Sequence, residues 1–359
     1  MAEDHQKVMN KKYPAVVFTA PNEVAVGSVE RAVCGPTEIV IRTRYSMISP
    51  GTELRMLAGH YGAGDKFPYV PGYSSVGEVI DVGAGAKGWR VGDLVSARNT
   101  QPFADARALW GAHSAVKVLS TTDTDRPVLL PAGVDLLTYV LCEIGAIPLR
   151  GIEAAAPKPG ETAIVVGQGL IGALAAAWLV RAGCRVAVVD FEESRLERAR
   201  RNGVAFTVSP ADPDLKERLK VFTNGGADIV VEASGSTPGV ELARSLLRRK
   251  PQNYSPEYTV EPIMFYGGDW PRLVFQANYL ETMPWNPDHT APGEGVIIIT
   301  PRDRGTEERQ RVVEHVRAGR FNAKDFIDAI IPYDRAPEAY AGLKARKLFS
   351  AVIDWKGAV

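Results

Sequence analysis

The chain has 359 residues, 45% of them hydrophobic, with 42 basic and 42 acidic side chains and hence a formal net charge of zero. The length allows two domains, and the balanced charge leaves no electrostatic footprint for nucleic acid or an acidic membrane surface. Residues 1–12 are polar, without the apolar core of a signal peptide, and no apolar run reaches the roughly 18 residues of a membrane helix, so a cytoplasmic chain is expected.

Residues 13–48 alternate in the period-two manner of half-buried strands, at 15–18, 24–26 and 38–45, with turn chemistry at Pro21-Asn22 and Gly35-Pro36 between them. Ser49-Pro50-Gly51-Thr52-Glu53-Leu54-Arg55 then leads into a short helix, and a Gly/Tyr-rich connection runs through His60-Tyr61-Gly62. Short strands punctuated by Gly and Pro continue through 67–80 and 88–95, which predicts a small, irregular β-barrel. From Gly160 the pattern changes to strands at 163–166, 185–189, 205–208, 228–232, 263–266 and 296–299, with helices such as 194–201 and 240–249 among them. A tail from Arg302 adds a helix at 307–318 and a β-rich end at 348–354, so a chain that leaves the first domain, builds the second and returns would place a cleft between them. Cys34, Cys142 and Cys184 are odd in number and far apart, which argues against a disulfide framework and leaves no C-x-x-C for structural zinc.

Residues 161–190 carry the strongest signal: a buried strand, the run Gly167-Gln168-Gly169-Leu170-Ile171-Gly172, an Ala/Leu-rich helix, and a second strand ending in Asp190. Gly167 allows the tight turn, Gly169 lets backbone approach a pyrophosphate, and Gly172 lets the helix press on the strand, so phosphates meet a helix N-terminus. Asp190 stands where an acid accepts hydrogen bonds from the adenosine ribose, and its charge repels a 2′-phosphate, which favours NAD over NADP. Arg195 follows in the next loop, where it could accept a phosphate, flank the adenine or pair with Glu192.

Taken together, V-P-G-Y-S-S-V-G-E-V-I at 70–80, G-W-R-V-G-D-L-V at 88–95, the glycine fingerprint, V-V-E-A-S-G at 230–235 and F-Y-G-G at 265–268 resemble the medium-chain dehydrogenase/reductase superfamily of alcohol and polyol dehydrogenases. The resemblance implies an α/β protein: a GroES-like β-barrel catalytic domain from residues 1–146 and 301–359, and a doubly wound Rossmann NAD-binding domain from 147–300. It implies a nicotinamide in the cleft near Ala233, Ser234, Tyr266 and Gly267, and a homodimer or homotetramer formed through Rossmann edge strands. Residues 296–299 are a candidate interface, although a buried strand explains them equally. S-x-G-T-E at 49–53 resembles the branch of bacteriochlorophyllide dehydrogenases and related sugar or cyclitol dehydrogenases of secondary metabolism.

The departures from that family concern the metal. Relatives carry a C-G-S-D stretch where this chain has Pro50-Gly51-Thr52-Glu53, and a G-H-E stretch where it has Gly72-Tyr73-Ser74. The loop at 97–112, where relatives hold structural zinc with four cysteines, has none. The resemblance therefore points to a zinc-independent member with no metal ligands. Leu141-Cys142-Glu143-Ile144 is similar to the L-x-E-P stretch of polyol dehydrogenases, so Glu143 is either an acid/base group near substrate or a structural carboxylate paired with an arginine.

Without a Lewis acid, side chains must polarise the substrate oxygen and move its proton. The candidates are Thr52, otherwise a helix cap, Tyr73, otherwise an aromatic filling the vacated metal pocket, and Glu143. His60 and Tyr61 could reach the cleft or form a surface loop, and residues 284–292 read as a lid, an oligomer contact or an ordinary loop. The expected activity is hydride transfer between NAD(H) and a secondary alcohol such as a sugar, cyclitol or natural-product intermediate. The alternatives are an NAD(P)H-dependent enoyl or quinone reductase and a non-catalytic nucleotide-binding protein.

Overall fold

The computed structural model describes residues 11–248, 270–279, 295–301 and 305–359; the expected strand at 263–266, Tyr266, Gly267 and the 284–292 segment lie outside the described residues. Two units emerge, one comprising Met1–Ala146 with Arg304–Val359 and the other Ile147–Asp303. No helix among the described residues is long and apolar enough to cross a membrane.

In the first unit, β1 (Lys12–Ala20) and β2 (Glu23–Glu30) form a hairpin. Strand β3 (Glu38–Met47) is the backbone of the barrel. Along one edge it pairs with β4 (Ser75–Val82), and along the other with β6 (Val116–Ser120) in its first half and β15 (Ala351–Asp354) in its second. Register shifts at Val40/Ile41 and Thr43/Tyr45 bend it so that one strand serves three neighbours. The sheet continues through β5 (Leu94–Ala97) and β7 (Val128–Leu129), and β14 (Ala329–Pro332) closes its other end. Among the described residues this unit also holds helices α1 (Pro50–Leu57), α7 (Thr306–Arg317) and α8 (Ala336–Lys344), and the unit boundary in sequence falls within α2 (Cys142–Ala154). The core of this unit is built on Phe18, whose ring meets those of Tyr69 and Tyr340 edge-on at 5.5 and 5.2 Å.

The second unit holds a parallel sheet in the order β10 (Phe206–Val208), β9 (Arg185–Val189), β8 (Thr162–Val166), β11 (Ile229–Glu232), β12 (Arg272–Phe275), β13 (Ile297–Ile299). Helices α3 (Leu170–Arg181), α4 (Glu193–Arg201), α5 (Leu215–Thr223) and α6 (Thr237–Ser245) connect the first four strands in sequence and leave the fourth. The chain builds outward from β8 in one direction, then returns to β11 and builds outward in the other. The loops after β8 and β11 therefore flank the switch point where ligands bind in such sheets. Strand β12 is not among the strands expected from sequence. Its R-L-V-F opens with an arginine, which is buried because its guanidinium donates to Glu161 Oε1 at 2.6 Å and to the Ala155 carbonyl at 3.1 Å. At the described sheet edge, Ile297 and Ile298 are 44% and 43% exposed rather than buried.

Candidate active site

The turn after β8 is shaped by contacts that only glycine permits. Gly167 has φ +93°, and a Cβ there would lie 2.8 Å from Ser234 N; one on Gly172 would lie 1.9 Å from Gly167 O. Gly169 is different, since a Cβ there would meet nothing within 4 Å. It is the N-cap of α3 and leaves the first N–H groups of the helix without a side-chain acceptor, next to open space. Leu170 and Ile171 begin that helix, with Leu170 turned into the core.

Asp190 holds this turn in place. Its Oδ2 accepts the Gln168 backbone N–H at 2.7 Å and its Oδ1 accepts that of Glu192 at 2.9 Å, so one carboxylate braces both loops of the first βαβ unit. Arg195 lies 3.5 Å from Asp190 Oδ2, so the carboxylate it pairs with is Asp190. Gln168 is buried, and its Oε1 has no partner among the described residues. Across the switch point, Ala233 donates to the Val166 carbonyl at 2.8 Å, and Glu232 accepts from Ser234 N, Ser234 Oγ, Gly235 N and Tyr279 OH. Burial and this carboxylate push the Tyr279 phenol upward. An uncapped helix N-terminus beside an open glycine, with an acid at the end of the second strand, fits a dinucleotide.

The barrel unit contributes a cluster of hydroxyls. Tyr73 is 4% exposed, its OH 2.5 Å from Ser49 Oγ and 3.5 Å from Thr52 Oγ1, and its ring meets Trp110 edge-on at 5.2 Å. Ser49 is the N-cap of α1, but its hydroxyl makes no capping bond and is directed to Tyr73 instead. The positions that carry zinc ligands in relatives do not fit zinc. Pro50 has no donor atom, the Tyr73 phenol is engaged by Ser49, and Ser74 Oγ donates to the Val140 carbonyl at 2.8 Å. Among the described residues no three His, Cys, Asp or Glu side chains gather as a metal-holding set.

Glu143 requires a correction. It lies in the first turn of α2, is wholly buried, and accepts from Arg309 NH1 at 2.7 Å, with Arg309 also donating to Thr306 Oγ1 at 2.8 Å. A carboxylate locked to a buried guanidinium is not presented to a substrate, so Glu143 belongs with the structural carboxylates. Burial pushes the neighbouring Cys142 thiol well up, so it is inert. His60 is exposed, and Tyr61, 42% exposed with φ +61°, accepts from Arg55 NH1 at 3.3 Å.

Three polar groups of this unit escaped the sequence reading. Glu53 in α1 is wholly buried and accepts from Ser49 N, from His113 Nε2 and from Tyr340 OH at 2.8, 2.9 and 2.6 Å. His113 packs so tightly on Gly72, φ +91°, that a Cβ there would lie 2.4 Å from the imidazole. Lys117 is wholly buried on β6. Lys117 interrupts the apolar run V-K-V-L and His113 is the ionisable side chain in G-A-H-S-A-V, and that is the signal that could have marked them; Glu53, in G-T-E-L-R, carries no such signal.

The chain matches two family models, the alcohol dehydrogenase GroES-like domain over residues 35–119 and the zinc-binding dehydrogenase over 171–251. The second match contains none of positions 50, 73 and 74, so its name carries nothing about metal in this chain. The chain is 24% identical to a D-guloside 3-dehydrogenase of Escherichia coli, covering 90% of this chain and 94% of that protein. It is 27% identical to a sorbitol dehydrogenase of Halalkalibacterium halodurans over 61% of this chain and 68% of the other. In fold it is similar to an Escherichia coli oxidoreductase/dehydrogenase of unknown specificity, with TM-score 0.80, 22% identity, and 96% and 99% of the two chains covered. A 2R,3R-butanediol dehydrogenase from Bacillus subtilis superposes with TM-score 0.77 at 19% identity, over 95% and 99% of the two chains. With a segment of each unit matched to an alcohol dehydrogenase-type family model and relatives that are polyol and sugar dehydrogenases, the chain belongs to the medium-chain dehydrogenase/reductase superfamily.

Proposed function

We propose that this alcohol dehydrogenase-type oxidoreductase oxidises a secondary alcohol of a sugar or polyol, or reduces the matching ketone, with NAD(H) and without zinc. The observation that carries the reading is the Tyr73 phenol, held 2.5 Å from Ser49 Oγ and 3.5 Å from Thr52 Oγ1, where relatives place metal ligands. Residues 167–172, Asp190, Ala233 and Ser234 would hold the dinucleotide, and a bound nicotinamide supplies or accepts the hydride. Tyr73 and Thr52 would hydrogen-bond the substrate oxygen. As the carbon loses hydride, the alcohol proton is relayed through these hydroxyls to solvent, each releasing its own proton as it takes the next, and on reduction a proton returns the same way. Asp190 supports NAD over NADP because a 2′-phosphate would bring negative charge against its carboxylate. Relatives named for sorbitol and a guloside support a polyhydroxylated substrate.

Tyr73→Phe keeps the ring and its contact with Trp110 but removes the phenol. It is expected to lower kcat about 100-fold with sorbitol or 2,3-butanediol while leaving the NADH dissociation constant unchanged. Steady-state kinetics with NAD and NADP, beside a fluorescence titration of NADH, check this. Full activity in the variant, or turnover of enones and of no alcohol by the wild type, contradicts the reading.

A further inference from the structure

We propose that Glu53 and His113 are a buried positioning couple that holds the Ser49 hydroxyl against Tyr73. The inference rests on the reading of Tyr73 as the oxygen-handling phenol, and it explains why an apolar barrel keeps a carboxylate and an imidazole at zero exposure. Trp355 Nε1, which can only donate, donates to Ser46 Oγ at 2.8 Å, and the same oxygen lies 2.8 Å from His113 Nδ1 with its own proton left to give. The carboxylate of Glu53 assigns the imidazole proton, since Oε2 accepts and Nε2 must therefore donate to it. Glu53 Oε2 also takes the Tyr340 hydroxyl, and Oε1 takes the Ser49 backbone N–H. All three neighbours of the carboxylate are therefore donors, and the chain of bonds closes with every member satisfied. Ser46, His113 and Glu53 have the connectivity of a hydrolytic triad, but Ser46 has zero exposure and its hydroxyl is committed, so it attacks nothing.

What this network reaches is the N-cap of α1. A serine there ordinarily turns its hydroxyl onto the N–H groups of the first turn. Glu53 grips the Ser49 backbone from one helical turn further on, holding it at φ −95°, ψ 95°, and the hydroxyl is aimed at Tyr73. In Glu53→Gln one flip turns the NH2 onto His113 Nε2 and Tyr340 OH, which must both reverse their roles, and the other turns it onto the Ser49 N–H and gives up that bond.

The test uses the full chain carrying tyrosine labelled at Cζ with 13C, the Tyr73 resonance being assigned by its loss in Tyr73→Phe. Ser49→Ala and Glu53→Gln should move that resonance in the same direction, and Glu53→Gln should add nothing in the Ser49→Ala background. With sorbitol and NAD, each single variant should lose about 10-fold in kcat, and the double variant no more than Ser49→Ala alone. If Glu53→Gln does not fold, Tyr340→Phe, which removes one donor and keeps the ring, takes its place in the cycle. An unmoved Tyr73 resonance, or a full additional shift in the double variant, overturns the proposal. Full activity of Tyr73→Phe would instead sink the functional reading and leave the resonance result to decide the positioning.

Discussion

Gly172→Ala is expected to weaken NADH binding by at least about 100-fold and to destabilise the second unit by roughly 4 kcal/mol. The added Cβ would sit 1.9 Å from the Gly167 carbonyl oxygen and 3.2 Å from the Ala233 methyl. The turn has little room to retreat, because even a Cβ on Gly167 would lie 2.8 Å from Ser234 N, and Ser234 is tied to Glu232 through both its backbone and its hydroxyl. Helix α3 must therefore lift from β8, which takes its N–H groups away from the phosphate position. Gly169→Ala is the control. It faces open space, so its melting temperature should match the wild type while NADH binding falls, because the methyl covers the surface the pyrophosphate approaches. Equal melting temperatures for Gly172→Ala and the wild type would contradict this account of the turn.

Lys117→Met is expected to stabilise the protein by about 2–4 kcal/mol at pH 7. Among the described residues, the hydrogen-bond partner of Lys117 Nζ is Ser75 Oγ at 2.5 Å, and burial pushes the amine down from 10.5 to about 7, with Glu143 opposing that shift. Because the folded value is the lower one, the unfolded chain binds a proton that the folded chain refuses between about pH 7 and 10.5. Stability therefore rises with pH across that window, and below about pH 7 the penalty is complete and constant. Methionine has nearly the same length and carries no charge, and Ser75 keeps its 2.8 Å bond to the Ala97 carbonyl. Denaturant titrations of both proteins should show the advantage of methionine shrinking below about 1 kcal/mol at pH 10. An advantage that does not change with pH would mean that the lysine keeps its proton on folding, with the folded amine no lower than the unfolded one.

The dinucleotide turn was legible because its constraints are local. Gly167, Gly169 and Gly172 act within one turn of chain, and Asp190 bonds to Gln168 only 22 residues away. Strand β12 was hidden because the charge of Arg272 is resolved by Glu161, 111 residues earlier, which no window on R-L-V-F contains. Glu143 stood between two readings for the same reason, since its arginine lies 166 residues further on. The Glu53 network reaches 60 residues to His113 and, further than either of those pairs, 287 to Tyr340. Pattern marks where a lone polar residue interrupts an apolar run, but its partner comes from topology, here from the one long strand β3 that gathers β4, β6 and β15.

The proposed chemistry has hydroxyls, and not a metal, handle the substrate oxygen. Its most direct test is the zinc content of the purified protein, measured beside turnover of sorbitol and 2,3-butanediol with NAD before and after exhaustive chelation. The account predicts substoichiometric zinc and turnover that chelation leaves unchanged. One zinc per chain, with activity lost on chelation and restored by zinc, would contradict it.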